Sequence, residues 1–343
     1  MRRRFLQFCG KDISDAEIIR VFRIPETINM VRIITLTLNP AFDTHCTASD
    51  FRLYHENLAQ ITSFDAGGKG INISRALKAN GIDSDAVAVI GRENGEQFRQ
   101  ALRKDGILLH AVEIPGRIRE NLTIHTEHAD ETRISFAGFS ADGTVLYAVS
   151  ELIAPYAEDP GTILALAGRV PEGIEMKTLC GLLLSLREKG VRLVIDSKSF
   201  SLSDLVSVRP WLIKPNRDEV AVYLNREITT VREAAEGAAK LSEMGIGHVM
   251  VSLGGSGAVL ADKEGILSAS VPSVAVRSTI GAGDSTIAGF LAGTIQNVSR
   301  AERLRTAVAF GTAACLTEGT RPPRPDDVRR LLDAITVRKP DAD

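Results

Sequence analysis

Four cysteines in 343 residues, scattered at Cys9, Cys46, Cys180 and Cys315 with no C-x-x-C pair, give no basis for a zinc cluster or a disulfide framework. The six histidines form neither H-x3-H nor H-E-x-x-H, so a histidine-held metal has no sequence support either. His125 and His128 are close, but in a β-rich stretch their odd spacing sets them on opposite faces. No apolar run approaches the roughly 20 residues of a membrane-spanning helix. Charge of one sign is lacking too: 41 basic against 43 acidic residues leave a net charge of -2. With no basic field, neither nucleic acid nor an anionic membrane is an expected partner, and any phosphate must be held by local Arg and Lys. The Met-Arg-Arg-Arg start has no apolar segment behind it and does not read as a secretory signal. A reducing, cytoplasmic setting fits these absences.

What is present is ordinary for a globular enzyme: 44% hydrophobic and 24% charged residues. Residues 1–29 mix charges without period and read as a loosely attached extension; 30–335 read as the domain proper, and 336–343 as a tail. The run Val31 to Leu38 is a buried strand by its β-branched content. Further strands are expected at 85–90, 162–167, 191–195 and 248–253. Helices are expected at 70–80, 95–105, 174–189, 284–296, 300–316 and 325–335, with Gly81 suited to end the first. Strand–helix alternation implies an α/β fold, with a mainly parallel sheet covered on both faces. Two stretches, 44–66 and 120–137, carry little helix signal and suggest a small separate sheet with a turn near Ala129-Asp130.

Four motifs carry the chemistry. Gly281-Ala282-Gly283-Asp284 precedes an apolar helix, expected to be central and buried. Small residues let a ligand approach the backbone, and the free N–H groups of a helix start favour an anion. An aspartate there makes sense if it takes a proton beside a phosphate. A glycine turn with Asp284 as N-cap explains the same letters. Gly67-Gly68-Lys69-Gly70-Ile71-Asn72 also opens a helix, but lacks the Walker A spacing. It reads as a plain loop or as an anion or sugar site. In Lys214-Pro215-Asn216-Arg217-Asp218-Glu219, Asn216 and Glu219 share a helix face. That pair suits water around Mg²⁺, or simple helix capping. Ser252-Leu253-Gly254-Gly255-Ser256-Gly257 follows a strand, where open α/β sheets bind ligands, though a hairpin turn needs the same residues.

In this order and spacing the motifs resemble the ribokinase-like (phosphofructokinase-B) family, over nearly all of the chain from Met30 to about Leu332. The resemblance implies a doubly wound α/β domain with a small β-sheet lid, here from about 44–66 and 118–138. In this family the lid often pairs subunits, so a homodimer is expected. Thr37-Leu38-Asn39-Pro40-Ala41-Phe42-Asp43 and G-G-K-G are most similar to the 1-phosphofructokinase and tagatose-6-phosphate kinase branch. Residues 316–320 with Arg321 are closer to the 6-phosphofructokinase branch. The implied activity is ATP- and Mg²⁺-dependent phosphorylation of a phosphosugar, fructose 1-phosphate first. Tagatose 6-phosphate, fructose 6-phosphate and a non-catalytic sugar-phosphate sensor are the alternatives. The resemblance assigns Asp43 and Asn72 to sugar hydroxyls, Gly68 and Lys69 to the sugar site, and Arg119 to the substrate phosphate. It assigns Lys214, Asn216, Ser252, Gly254 and Gly257 to ATP, and Glu219 with Asn216 to the metal through water. Gly281, Ala282 and Gly283 become the anion hole and Asp284 the base. Two positions depart from the pattern: Ile118 replaces a threonine, and Arg169 stands where a serine near the substrate phosphate is usual.

Overall fold

A computed structural model describes residues 31–126, 132–159 and 161–339. The expected extension 1–29 and the turn near Ala129-Asp130 lie outside these. In chain order the first half runs β1 (Ile33–Thr37), β2 (Ala41–Ala48), β3 (Gln60–Gly67), α1 (Lys69–Ala79), β4 (Asp85–Gly91), α2 (Gly95–Lys104), β5 (Leu108–Ile114), β6 (Arg119–Thr126), β7 (Thr132–Ser135) and α3 (Gly143–Ile153). The second half runs β8 (Ile163–Ala167), α4 (Met176–Glu188), β9 (Arg192–Asp196), α5 (Leu202–Val208), β10 (Leu212–Ile213), α6 (Arg217–Leu224), α7 (Val231–Glu243), β11 (His248–Ser252), β12 (Ala258–Asp262), β13 (Gly265–Ser270), α8 (Ala282–Ile295), α9 (Arg300–Ala314), α10 (Pro325–Ala334) and β14 (Thr336–Arg338).

Ten strands form one sheet in the order β14-β13-β12-β11-β10-β9-β8-β1-β4-β5. The seven from β11 to β5 are mutually parallel, and β12, β13 and β14 turn antiparallel at one edge. Residues 336–338, expected in a tail, instead close that edge on β13. Alternation along the strands divides the core in two. Ile34, Leu36, Leu164 and Leu166 face α2 to α7, whereas Ile33, Ile163 and Ala165 face α1 and α8 to α10. The order reverses at β1, between β8 and β4, and in open α/β sheets the crevice at the strands' carboxyl ends beside such a reversal receives ligands.

The stretches expected to form a small sheet do so: β3-β2-β6-β7, with β2 parallel to β6. Register puts Asp65, Asp43, Asn121 and Ser135 in one row across it, and Phe64, Thr44, Leu122 and Ile134 in the next. Because side chains alternate, the first row lies on one face and the second on the other. Among the described residues no helix is long and apolar enough to cross a membrane.

Candidate active site

The helix α8 is buried at every position from Asp284 to Gly293. That fits its near-absence of charge, and it fixes the helix start against the sheet. Gly281 precedes it with φ +78°, a left-handed conformation that costs a glycine little. The Ala282 N–H is turned to Thr279 O at 3.3 Å, so the donors left heading the helix are those of Gly283 and Asp284. Asp284 is not a plain N-cap. It lies inside the first turn, 6% exposed, and its Oδ2 accepts a hydrogen bond from Asn72 Nδ2 at 2.9 Å.

Asn72 and Lys69 come from the first turn of α1, entered through Gly68 at φ +126°. Lys69 Nζ lies 3.0 Å from Asp196 Oδ2, and Lys214 Nζ lies 3.7 Å from Asp196 Oδ1. Lys214 also borders the helix start: a Cβ on Gly283 would stand 3.1 Å from its Nζ. Two lysines thus flank two buried carboxylates, and the carboxylates respond in opposite ways. Burial pushes Asp284 up to about 6, helped by Asp196 and opposed by Lys69, Lys214 and the Asn72 hydrogen bond. Burial also raises Asp196, but Lys214 and Lys69 together outweigh it and hold that carboxyl below its ordinary value. A carboxylate poised near neutrality beside fixed cations suits a general base. Asp196 did not emerge from the motifs. Its signal is an acidic residue ending the apolar run of β9 at the ligand-binding edge of the sheet.

A second cluster sits on the small sheet. Asp43, 6% exposed, accepts from Asn121 Nδ2 at 2.8 Å, and Arg119 Nη1 donates to Asn121 Oδ1 at 3.3 Å. Gly67 leaves room for the Asp43 carboxylate, since a Cβ would stand 2.3 Å from Asp43 Oδ2 and push it aside. Burial lowers Arg119; Asp43 resists this, while Arg169 and Arg133 add to it. A guanidinium does not give up its proton in a protein, so Arg119 stays charged, as a partly buried cation crowded by two others and only partly offset by Asp43. Arg169 itself is exposed, just after β8. Four buried polar atoms around this crevice have no hydrogen-bond partner: Thr37 Oγ1, Asn39 Oδ1, Asn72 Oδ1 and Arg119 Nε. Buried polar atoms are normally satisfied, so such a group of orphans points to a ligand.

On the far side of the Gly283 turn opens a cavity of about 600 Å³, bordered by Ser252, Gly254, Gly257, Ala282 and Gly283. Gly257 has φ +92°, and a Cβ there would lie 1.9 Å from Ala269 O, so the loop reaches this shape only with glycine. Asn216 and Glu219 form the capping box of α6: Asn216 Oδ1 accepts from Glu219 N at 2.8 Å, and Glu219 Oε2 accepts from Asn216 N at 3.0 Å. The other oxygen of Glu219 lies 3.7 Å from Lys198 Nζ. Among the described residues no group of three or more His, Cys, Asp or Glu could hold a metal ion by itself. The sequence-derived residues therefore fall in three groups, one around Asp284, one on the small sheet and one along the glycine-lined cavity.

The description "pfkB family carbohydrate kinase" matches residues 37–327. The chain is 33% identical over 309 residues to a 1-phosphofructokinase of Bacillus subtilis, covering 90% of this chain and 99% of that one. It is 31% identical over 307 residues to the ATP-dependent 6-phosphofructokinase isozyme 2 of Escherichia coli, covering 88% and 98%. The crystal structure of Escherichia coli phosphofructokinase-2 in complex with substrates and products superimposes with a TM-score of 0.83 at 30% identity, over 89% of this chain and 99% of that one.

Proposed function

Since the chain belongs to the pfkB family of carbohydrate kinases, phosphotransferases with an alcohol acceptor, we propose that it phosphorylates fructose 1-phosphate to fructose 1,6-bisphosphate with ATP as donor. The observation that carries this reading is the buried Asp284, pushed up to about 6 at a helix start whose Ala282 and Gly283 border a glycine-lined cavity, with an arginine-bearing cluster on the small sheet. ATP lies in the cavity beside Ser252, Gly254 and Gly257, with its phosphates toward Gly283, Lys214 and Asn216. The phosphosugar lies in the crevice, its phosphate against Arg119 and Arg169 and its hydroxyls against Asp43, Gly68 and Asn72. Asp284 takes the proton of a primary hydroxyl as that oxygen bonds to the γ-phosphorus and the bond to the ADP oxygen breaks. Lys69 and Lys214 and the N–H groups at the start of α8 offset the charge on the moving group.

Mg²⁺ fits the donor set present. A metal carried on phosphates needs only one or two protein carboxylates, and Glu219 offers one oxygen not used in its capping box. Asn216 and Glu219 would hold it through water, and it would supply charge neutralisation of the phosphates.

The direct test compares kcat/KM for fructose 1-phosphate, fructose 6-phosphate and tagatose 6-phosphate with Mg-ATP. Preference for fructose 1-phosphate supports the reading, preference for either other sugar moves the substrate within the family, and turnover of none sinks it. A narrower test concerns Arg119. Arg119→Ala is expected to raise KM for the phosphosugar by about ten- to a hundredfold, the effect of losing a charge-assisted hydrogen bond. The KM for ATP stays within about twofold of its starting value if the role is local. Equal rises in both would instead mark a folding defect.

We further propose that the small sheet is the lid and pairs two subunits through its apolar face. Ile61, Phe64, Ile134 and Phe136 are exposed on or beside that face, with Leu53, Tyr54 and Leu58 in the adjoining loop. Contiguous exposed apolar surface of this kind marks an interface. A structure of the related Escherichia coli phosphofructokinase-2 is described as a tetrameric inhibited form, which supports assembly in this group. Sedimentation equilibrium should show a dimer for the natural chain and a monomer for Ile61→Asp with Ile134→Asp. A natural chain that is monomeric at micromolar concentration, or a double variant that stays dimeric, would remove this face from the interface.

A further inference from the structure

Arg133 belongs to none of the family-like motifs, yet the fold brings it to the sugar carboxylate. On β7 it stands opposite Thr123 of β6, and Thr123 stands opposite His45 of β2. Alternation then places Arg133 on the same face of the small sheet as Arg119, Asn121 and Asp43. Its guanidinium lies 3.6 Å from Asp43 Oδ1, the oxygen that also accepts from Asn121. At that distance the contact is a charge pair rather than a hydrogen bond. With Arg133 43% exposed, such a pair contributes little to stability. Stability therefore does not account for a cation held over a buried carboxylate. Two further cations, Arg119 and Arg169, act on the same region, and Arg119 Nε is buried without a partner.

We propose that Arg133 is the specificity residue by which this site favours phosphorylated over unphosphorylated sugars, exchanging Asp43 for the substrate phosphate. Without a phosphate, Arg133 stands over Asp43 and competes with a sugar hydroxyl for Oδ1. A phosphate dianion at Arg119 and Arg169 offers the planar guanidinium two oxygens at once, which makes it the better partner. Arg133 turns to it, and Asp43 Oδ1 is released to accept the hydroxyl. A sugar without phosphate cannot make this exchange and meets an occupied carboxylate. Specificity is a difference of affinities, and one side chain here acts on both sides of that difference. The inference rests on the phosphosugar reading above.

The test measures kcat/KM for fructose 1-phosphate and for fructose in the natural chain, Arg133→Ala and Arg133→Lys. In Arg133→Ala the phosphosugar value should fall by about ten- to a hundredfold, mainly through KM, as for a lost charge-assisted hydrogen bond. The value for fructose should hold or rise, so the ratio narrows at least tenfold. Arg133→Lys should recover part of the ratio, keeping the charge but not the planar fork. An unchanged ratio, or an equal loss with both sugars, overturns the proposal. Calorimetry with inorganic phosphate and no nucleotide gives a second readout that needs no turnover. Weaker phosphate binding in Arg133→Ala supports the proposal, and unchanged binding overturns it, even if fructose 1-phosphate proves not to be the substrate. Failure of the natural chain with every phosphosugar, with phosphate binding still dependent on Arg133, would instead count against the proposed reaction.

Discussion

Asp284→Asn is expected to lower kcat by about 10²–10⁴-fold, the usual worth of a positioned general base, and to leave ATP binding close to normal. Asparagine keeps the shape and can still accept the Asn72 hydrogen bond through its oxygen, but it cannot take a proton. The same substitution should make the protein more stable at neutral pH. Asp284 titrates near 6 in the folded chain, above its ordinary value of 3.8. The folded state therefore holds this proton more tightly than the unfolded one, and ionising the group costs stability as pH rises from about 4 through about 6. A shift of that size corresponds to at most about 3 kcal/mol, and the lysines that lose a neighbouring charge offset part of it. An increase of about 1 kcal/mol is expected, raising Tm by about 2 °C for a chain this long. The natural enzyme should lose kcat/KM below about pH 6 along a single ionisation limb. Near-normal turnover in the asparagine variant would remove Asp284 from the base role.

Asp196 should show the opposite behaviour. Its carboxylate is held below the ordinary value by Lys214 and Lys69, so its stabilising effect is complete at neutral pH and lost as pH falls through that lowered value. Asp196→Ala leaves Lys214, whose side chain is only 7% exposed, without its 3.7 Å partner. Breaking a buried pair from one side costs about 3–5 kcal/mol, and chemical denaturation should register a loss of that order. Lys69, more than a third exposed, adds little to the loss. Asp196→Asn is the gentler variant and tests function. It removes a negative charge that helps hold Asp284 up, so the acid limb of the pH profile should move below about 6. A limb that stays in place, or an alanine variant that denatures like the natural chain, would show that the four charges do not act as a set.

Much of this arrangement was legible in the residues. The apolar stretch after Asp284 implied a buried helix, and α8 is buried over ten successive positions. The low helix signal of 44–66 and 120–137 implied a second sheet, and four strands form it. Other elements carried signals that were not read. Thr230 and Glu233 have the spacing of a capping box, which forms at the start of α7. The β5 run Leu108–Ile114 is interrupted by His110 and Glu113, which blurs its apolar pattern. Asn216 and Glu219 show why local reading stalls: the capping box forms, and one oxygen of Glu219 stays outside it. Capping and metal binding are thus not exclusive, and sequence spacing cannot separate them. The Asp196 quartet is not visible before folding, because its members are distant along the chain: Lys69 and Asp196 alone are 127 residues apart.

The burial of α8 has a consequence for how the catalyst can fail. Gly289 sets this helix so close to α9 that an added Cβ would stand 2.5 Å from Thr306 O. The proton acceptor is therefore mounted on a helix that is buried and packed hard against its neighbour. Displacing Asp284 means loosening a helix that is buried from Asp284 to Gly293. Activity and cooperative structure should be lost together on heating, and recovered together where refolding succeeds.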